Sequence, residues 1–452
     1  MAFSIKKIKR VSLPNQIKWI QESMKHRCAL AEVAQGSNAR KVDNFYHHEN
    51  RIGEGSFGLV FPGLCEKDGR EVAMKRLEKE RLEQKGAVLE REIKCLRKLS
   101  DCPFILNYIT CAGDKDFQYL VVELMEGSLD DYLPGDREGK QAFTICLNIA
   151  NGIDFLHKQN VLHRDLKPQN ILYKTQPEFI VKISDFGISK ILHGDQRGTV
   201  SETVLNSRMG TRCWMAPELL KNKSKDHSKA SDIFSCGLIF HYVLAMMKHP
   251  FGSYYGESLA EINPLETERN ITSNQQSFCE SLTPEAESLI THMLLPKPDR
   301  RPIASSLQKF PFFWDNDTKV DFLKKVGNQK EFEEPRVRLL RPLSVAELNL
   351  QKLYLEYLNA ASYDWANVVQ RVYDEVTRVH RYRKYETTSA VELVRFIRNS
   401  YTHLQDLPAD VRGLLSKDFV FFDRFPFLVT AVYRAVKGCD SLRGRNDLKK
   451  FF

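Results

Sequence analysis

"HRDLKPQN", residues 163–170, is the stretch on which the reading of this chain turns. Within eight positions it offers a carboxylate at Asp165, an ammonium at Lys167 and a carboxamide at Asn170. A carboxylate suits a base for a hydroxyl, an ammonium suits a γ-phosphate, and an amide oxygen suits a hard cation such as magnesium. Working outward, "DFG" (185–187) adds a second metal carboxylate, Asp185. Upstream, "VAMK" places Lys75 on a strand-type run, where its ammonium can pair with phosphate oxygens. Glu92, in the helical "LEREIKCLRKL", is positioned to hold that lysine. "GEGSFGLV" carries Gly53, Gly55 and Gly58 ahead of Val60, and glycine lets backbone amides approach a triphosphate without a Cβ clash. By itself such a turn is a weak signal, because many hairpins are glycine-rich. Downstream, "APE" (216–218) ends the intervening loop, with Glu218 available to Arg301 of "DRRP".

In this order and at this spacing, the motifs resemble the protein kinase family across residues 45–314. The resemblance implies a bilobal α+β fold that binds ATP and two magnesium ions, the metals held through Asp185 and Asn170. It implies a nucleotide site formed by Ile52, Gly53, Gly55, Gly58, Val60, Ala73, Lys75, Glu92, Glu123 and Met125, with Asp165 and Lys167 as catalytic residues. Lys167 in "DLKPQN" is the serine/threonine type of catalytic loop. The segment after "DFG" holds Ser201, Thr203 and Ser207 near Arg208 and Arg212. Arg164 is the kind of residue that pairs with a phosphorylated loop.

Composition sets the limits. The chain has 452 residues, 42% hydrophobic and 28% charged, which suits two or three soluble domains with sizeable cores. No apolar run approaches the roughly 20 residues needed to span a bilayer, and the basic N-terminus is not followed by a signal-peptide core. The expectation is a cytosolic or nuclear protein if the chain is complete. Ten cysteines stand singly, with no CxxC pair and no zinc spacing, so they read as reduced and mostly buried thiols. A net charge of +9 tolerates nucleic acid without establishing it. Residues 1–44 contain the basic "KKIKR" and then Ile17, Ile20, Met24 and Cys28 at helical spacing, an extension expected to pack on the next domain.

A kinase would end near Trp314, so residues 315–452 need their own account. This tail reads as all-helical, with few glycines and Pro408 as a helix stop. "RVHRYRKY" (378–385) interleaves cations with tyrosines, a composition that suits RNA with accessible bases, though also a solvated helix face. "SAVELVRFIRNSYTHL" sets Val391, Val394, Ile397, Tyr401 and Leu404 on one stripe, with Arg395, Asn399 and His403 on another face. Histidine, arginine, asparagine and a nearby tyrosine are the inventory of metal-free RNA cleavage, in which the 2′-hydroxyl attacks the adjacent phosphorus.

Through "PFFW", "YDW" (363–365), "KYETTSAVELVRFIRNSYTHLQDLPADV" and "DRFPFLVTAVYRA", the tail resembles the kinase-extension nuclease domain. That domain occurs in the inositol-requiring kinase/endoribonucleases of the unfolded-protein response and in ribonuclease L. The resemblance implies a ribonuclease site of Tyr385, Arg398, Asn399 and His403 that needs no cofactor of its own. His403 would be the general acid, Tyr385 the base or its partner, Arg398 the phosphate stabiliser and Asn399 the positioning group. It further implies ATP or ADP binding, autophosphorylation, homodimers or higher homo-oligomers, and a stem-loop RNA substrate, with no DNA expected. A place in the cytoplasm follows, or on the cytosolic face of the endoplasmic reticulum for a membrane-bound parent. Neither the luminal sensor nor the ankyrin repeats of those relatives is present, so the input signal stays open. Two alternatives remain at this point: an ordinary kinase with a dimerising or docking tail, and a nucleotide-sensing scaffold with nuclease output.

Overall fold

The computed structural model describes residues 21–23, 25–55, 58–79, 93, 97–136, 139–185, 212–221, 227–252, 263–332, 349–352, 364–379 and 385–452. The chain divides into two compact units. One holds residues 1–279 and 293–304, the other residues 280–292 and 305–452.

The first unit opens with an antiparallel sheet of seven strands: β1 (Ala39–Val42), β2 (Phe45–His48), β3 (Gly53–Gly55), β4 (Gly58–Cys65), β5 (Glu71–Glu78), β6 (Tyr108–Gly113) and β7 (Phe117–Glu123). Their order is β1-β2-β4-β5-β7-β6, with β3 folded back on β4. Strand structure therefore begins at Ala39, ahead of Phe45. Pro62 is tolerated in β4 because the β2 ladder ends at His47↔Gly63, one residue before it. Alternation along β5 splits the core. Val72 and Met74 join Val42, Phe45, Tyr119 and Val121 on one side. Ala73 joins Tyr46, Leu64 and Leu124 on the other, where helix α1 (Arg27–Ala34) brings Leu30 and Val33. Cys28, expected on the inner face of this helix, is exposed, because Leu30 and Val33 claim the sheet-facing positions. Ile17, Ile20 and Met24 lie outside the described residues.

Beyond β7 the fold turns helical, with a small sheet ordered β10-β9-β8 from β8 (Gly127–Ser128), β9 (Ile171–Lys174) and β10 (Ile180–Ile183). Helix α2 (Ala142–Lys158) packs on β10 and on α3 (Lys229–Leu244), which is buried over nearly its whole length. Five of the nine described cysteines are buried, and all nine are free thiols.

In the second unit, α4 (Asn316–Gly327), α5 (Gln370–Val379), α6 (Ala390–Thr402), α7 (Ala409–Ser416) and α8 (Leu428–Lys437) carry the core. Helix α6 packs along α4. Their close approach needs a glycine: a Cβ on Gly327 would lie 2.7 Å from the Cβ of Arg398. "FPFFW" supplies Phe310 and Trp314 to an aromatic cluster with Phe322, Tyr433 and Phe451. A second cluster gathers Trp365, Tyr373, Tyr385 and Phe396, and the Trp365 indole donates to the Ser389 carbonyl at 3.2 Å. Among the described residues, no helix is long and apolar enough to cross a membrane.

Candidate active sites

The catalytic loop begins with a strained turn, Arg164 at φ +73°. Helix α3 holds it in place. Asp232, buried in that helix, accepts the backbone N–H groups of His163 and Arg164, each at 2.9 Å, and pairs with His157 Nε2 at 3.1 Å. His163 Nε2 donates to the Ser184 carbonyl at 2.8 Å, while its Nδ1 accepts the Asp165 N–H at 3.2 Å. Burial lowers the His163 pKa, so the ring stays neutral and keeps this two-sided pattern. Nothing in "SDIFSCG" had singled out Asp232. A lone acid inside an apolar helix was the available signal, since such a group must be paired.

Asp165 emerges from this turn with its carboxylate 3.0 Å from Lys167 Nζ. The Asn170 amide nitrogen donates to the Asp165 carbonyl at 2.7 Å and to its carboxylate at 3.0 Å, so the oxygen is the atom Asn170 can offer a cation. Ser184 ties back to the Asn170 carbonyl through its N–H at 2.9 Å and its hydroxyl at 3.0 Å. Asp185 follows at φ +59°, its Oδ1 2.7 Å from Lys75 Nζ. Five of the predicted polar groups are thus linked in two sets: Asp165 with Lys167 and Asn170, and Asp185 with Lys75. Glu92 lies outside the described residues, as do Ser201, Thr203, Ser207 and Arg208. Arg212 is described, in an ion pair with Glu268 at 2.9 Å.

The residues fit a nucleotide with magnesium. Gly58 sits at φ +146°, where a Cβ would come within 2.0 Å of the Arg76 carbonyl oxygen, whereas a Cβ on Gly53 would meet open space. Lys75 supplies a cation, and Asp185 and Asn170 supply oxygen donors for hard cations. Val60 and Lys75 are register partners, and Ala73 stands beside Val122 on the same side of the sheet. Ile52 is partly exposed beside the glycine turn, and Met125 is buried just beyond β7. The Glu123 carboxylate accepts Lys182 Nζ at 2.7 Å and the Asn107 N–H at 2.6 Å, so its side chain is already committed. Glu218 and Arg301 meet in the expected two-pronged pair at 2.7 and 2.8 Å.

In the second unit the tail motif is arranged differently from the helical projection. Helix α6 is covered on nearly every side. Arg395 and Asn399 are as buried as Val394 and Ile397, so the separate polar face expected for Arg395, Asn399 and His403 does not exist. Packing on α4 and the aromatic cluster closes over it. Tyr385 and Asn399, fourteen residues apart, are joined: Asn399 Nδ2 donates to the Tyr385 hydroxyl at 2.7 Å, and both side chains are buried. Asn399 Oδ1 is buried with no hydrogen-bond partner among the described residues. Arg398, the next residue back, packs its stem over Gly327. His403 caps the helix, its N–H donating to the Asn399 carbonyl at 3.0 Å. Its ring is half-exposed, with Nδ1 3.3 Å from Oδ2 of Asp406, three residues on, a partner that sequence reasoning missed. Of "RVHRYRKY", Arg378 is exposed and paired with Glu375, and residues 380–384 lie outside the described part.

This pairing of a kinase site with a helical tail bearing Tyr385, Asn399 and His403 agrees with what family comparison finds. Residues 46–313 match the protein kinase domain, and residues 314–452 match the ribonuclease 2-5A domain. The chain belongs to the protein kinase family, in the kinase/endoribonuclease group that joins these two domains. Among its relatives is the serine/threonine-protein kinase/endoribonuclease IRE1 of Oryza sativa subsp. japonica, 30% identical over 96% of this chain and 47% of the relative. The human serine/threonine-protein kinase/endoribonuclease IRE2 is 31% identical over 88% of this chain and 41% of its own length. The Schizosaccharomyces pombe sensor for unfolded proteins in the ER, ire1, is 31% identical over 96% of this chain and 42% of its length. The chain therefore spans about half the length of these relatives, or somewhat less.

Proposed function

We propose that this chain is a serine/threonine kinase that autophosphorylates and, as a nucleotide-promoted homodimer, cleaves stem-loop RNA without a metal, in a response of the unfolded-protein type. Residues 45–314 are the kinase and 315–452 the nuclease, acting in the cytoplasm or on the cytosolic face of the endoplasmic reticulum. The observation that carries the nuclease half is the Tyr385–Asn399 hydrogen bond of 2.7 Å on the helix that His403 caps.

In the kinase, Asp185 and Asn170 would hold the magnesium ions, which would supply neutralisation of phosphate charge. Asp165 orients the acceptor hydroxyl and takes its proton, Lys167 stands against the transferred phosphoryl group, and Lys75 fixes the remaining phosphates. In the nuclease, the 2′-hydroxyl passes its proton toward Tyr385 as its oxygen bonds to phosphorus. The P–O5′ bond breaks, and His403 gives a proton to the departing 5′-oxygen. With Nδ1 turned to Asp406, Nε2 is the ring nitrogen left to give that proton. Arg398 opposes the extra negative charge on the phosphate, and Asn399 fixes the phenol. The products are a 2′,3′-cyclic phosphate and a 5′-hydroxyl.

The test is cleavage of a short stem-loop RNA in EDTA by the chain after phosphorylation with Mg-ATP, beside a folded His403→Ala variant. Scission leaving a cyclic phosphate in the parent and lost in the variant is the expected result. Equal inertness of the two on a panel of RNAs, with phosphorylated dimers present, would leave the tail as an assembly module.

A further inference from the structure

Arg395 is the residue of the tail motif that neither catalysis nor the apolar core accounts for. The residue is only 2% exposed, and its Nη1 donates to Glu392 Oε2 at 2.6 Å. The two side chains are 3% and 0% exposed, one turn apart on α6. Burying an ion pair is a poor way to gain stability, since apolar residues of the same volume usually serve as well or better. The pair has a specific neighbour instead. The Arg395 guanidinium carbon lies 5.2 Å from the centre of the Tyr385 ring, within cation–π range.

Tyr385 is thereby held from several sides. Phe396 meets its ring edge-on at 5.1 Å, Trp365 stands at 6.2 Å and Tyr373 at 6.4 Å. Asn399 donates to its oxygen at 2.7 Å. Arg395 brings the positive charge and Glu392 the negative one to this group, with Glu392 fixing where the guanidinium sits. An N–H donated to the phenol oxygen and a cation over its ring both favour the ionised phenol over the neutral one. A phenol otherwise titrates near 10, too high for a base at neutral pH.

We infer that Arg395, anchored by Glu392, is a positioning residue that clamps Tyr385 for RNA cleavage. The inference rests on the nuclease reading above and assigns work to two residues that it leaves without a role. Arg395 touches no substrate in this scheme and acts through the tyrosine.

Removing Arg395 alone would strand a buried carboxylate and risk unfolding, so the informative variant is the full chain carrying Glu392→Gln with Arg395→Met. A single Arg395→Lys serves as the charge-conserving control. Two readouts are used: the pH–rate profile of stem-loop cleavage in EDTA, and the NMR titration of ring-labelled tyrosine, with Tyr385 assigned by its loss in Tyr385→Phe. The double variant is expected to move the Tyr385 titration and the rising limb of the profile to higher pH by about one unit, with cleavage at pH 7 about tenfold slower. RNA affinity should be unchanged, and Arg395→Lys should recover the position of the limb. In a Tyr385→Phe background the double substitution should cost nothing more. A Tyr385 titration unmoved in the folded double variant overturns the clamp, as does a loss that simply adds to that of Tyr385→Phe. If instead the titration moves as expected while the parent chain cuts no RNA, the nuclease reading fails and the inference about cleavage fails with it, distinguishably from loss of the clamp.

Discussion

Asp232 shows how much one buried carboxylate can organise. It holds two consecutive backbone N–H groups of a left-handed turn and the His157 ring, and through that turn it aims Asp165. Asp232→Ala would leave those donors buried without an acceptor. The expected cost is about 3 kcal/mol of stability, read from the urea midpoint. Autophosphorylation should fall about a hundredfold in the fraction that remains folded, because Asp165 loses its aim. A variant with native phosphotransfer would refute the assignment. The tail depends on single residues in the same way, since Asn399 reaches Tyr385 with one amide and His403 leans on Asp406.

At the scale of elements, the contact of α4 with α6 positions the proposed nuclease residues. Gly327 lets the two backbones close until the Arg398 stem covers it. Gly327→Ala puts a methyl 2.7 Å from the Arg398 Cβ, so the helices must part or Arg398 must turn away. Overpacking of this kind costs about 1–3 kcal/mol. RNA cleavage should fall sharply while ATP-dependent autophosphorylation holds, and the ratio of the two rates in one preparation measures it. Helix α6 also explains why its hydrophobic pattern misleads. A helix with solvent on one side shows one apolar stripe, whereas α6 is enclosed and satisfies Arg395 through Glu392 and Asn399 through Tyr385.

At the scale of the molecule, buried histidines set the response to acid. Burial pushes His241 down to about 4 and His249 down to about 3, and lowers His163, His47 and His292 as well. The unfolded chain protonates these rings near 6.5, so it binds more protons than the folded chain below that pH. Their stabilising effect is complete above about pH 6.5 and drains away on acidification, down to about pH 4 for His241 and about pH 3 for His249. The urea midpoint should fall steadily over that window. His241→Gln, which can still donate to the Lys248 carbonyl, should make the fall shallower, and an unchanged slope would count against this account. What the sequence by itself determined was the candidate kinase set, because phosphate handling requires particular residue types at set spacing along strands and loops: Lys75, Asp165, Lys167, Asn170 and Asp185 could be named as candidates before any coordinate. The tail was legible as a motif, with Tyr385, Arg398, Asn399 and His403 identifiable by resemblance alone. Only the tertiary structure decided that Asp232 braces the catalytic loop, that Glu123 spends its carboxylate on Lys182, and that Arg395 lies buried under Tyr385. Each of those depends on partners brought together from distant parts of the chain or on burial from all sides, and a periodic pattern carries neither.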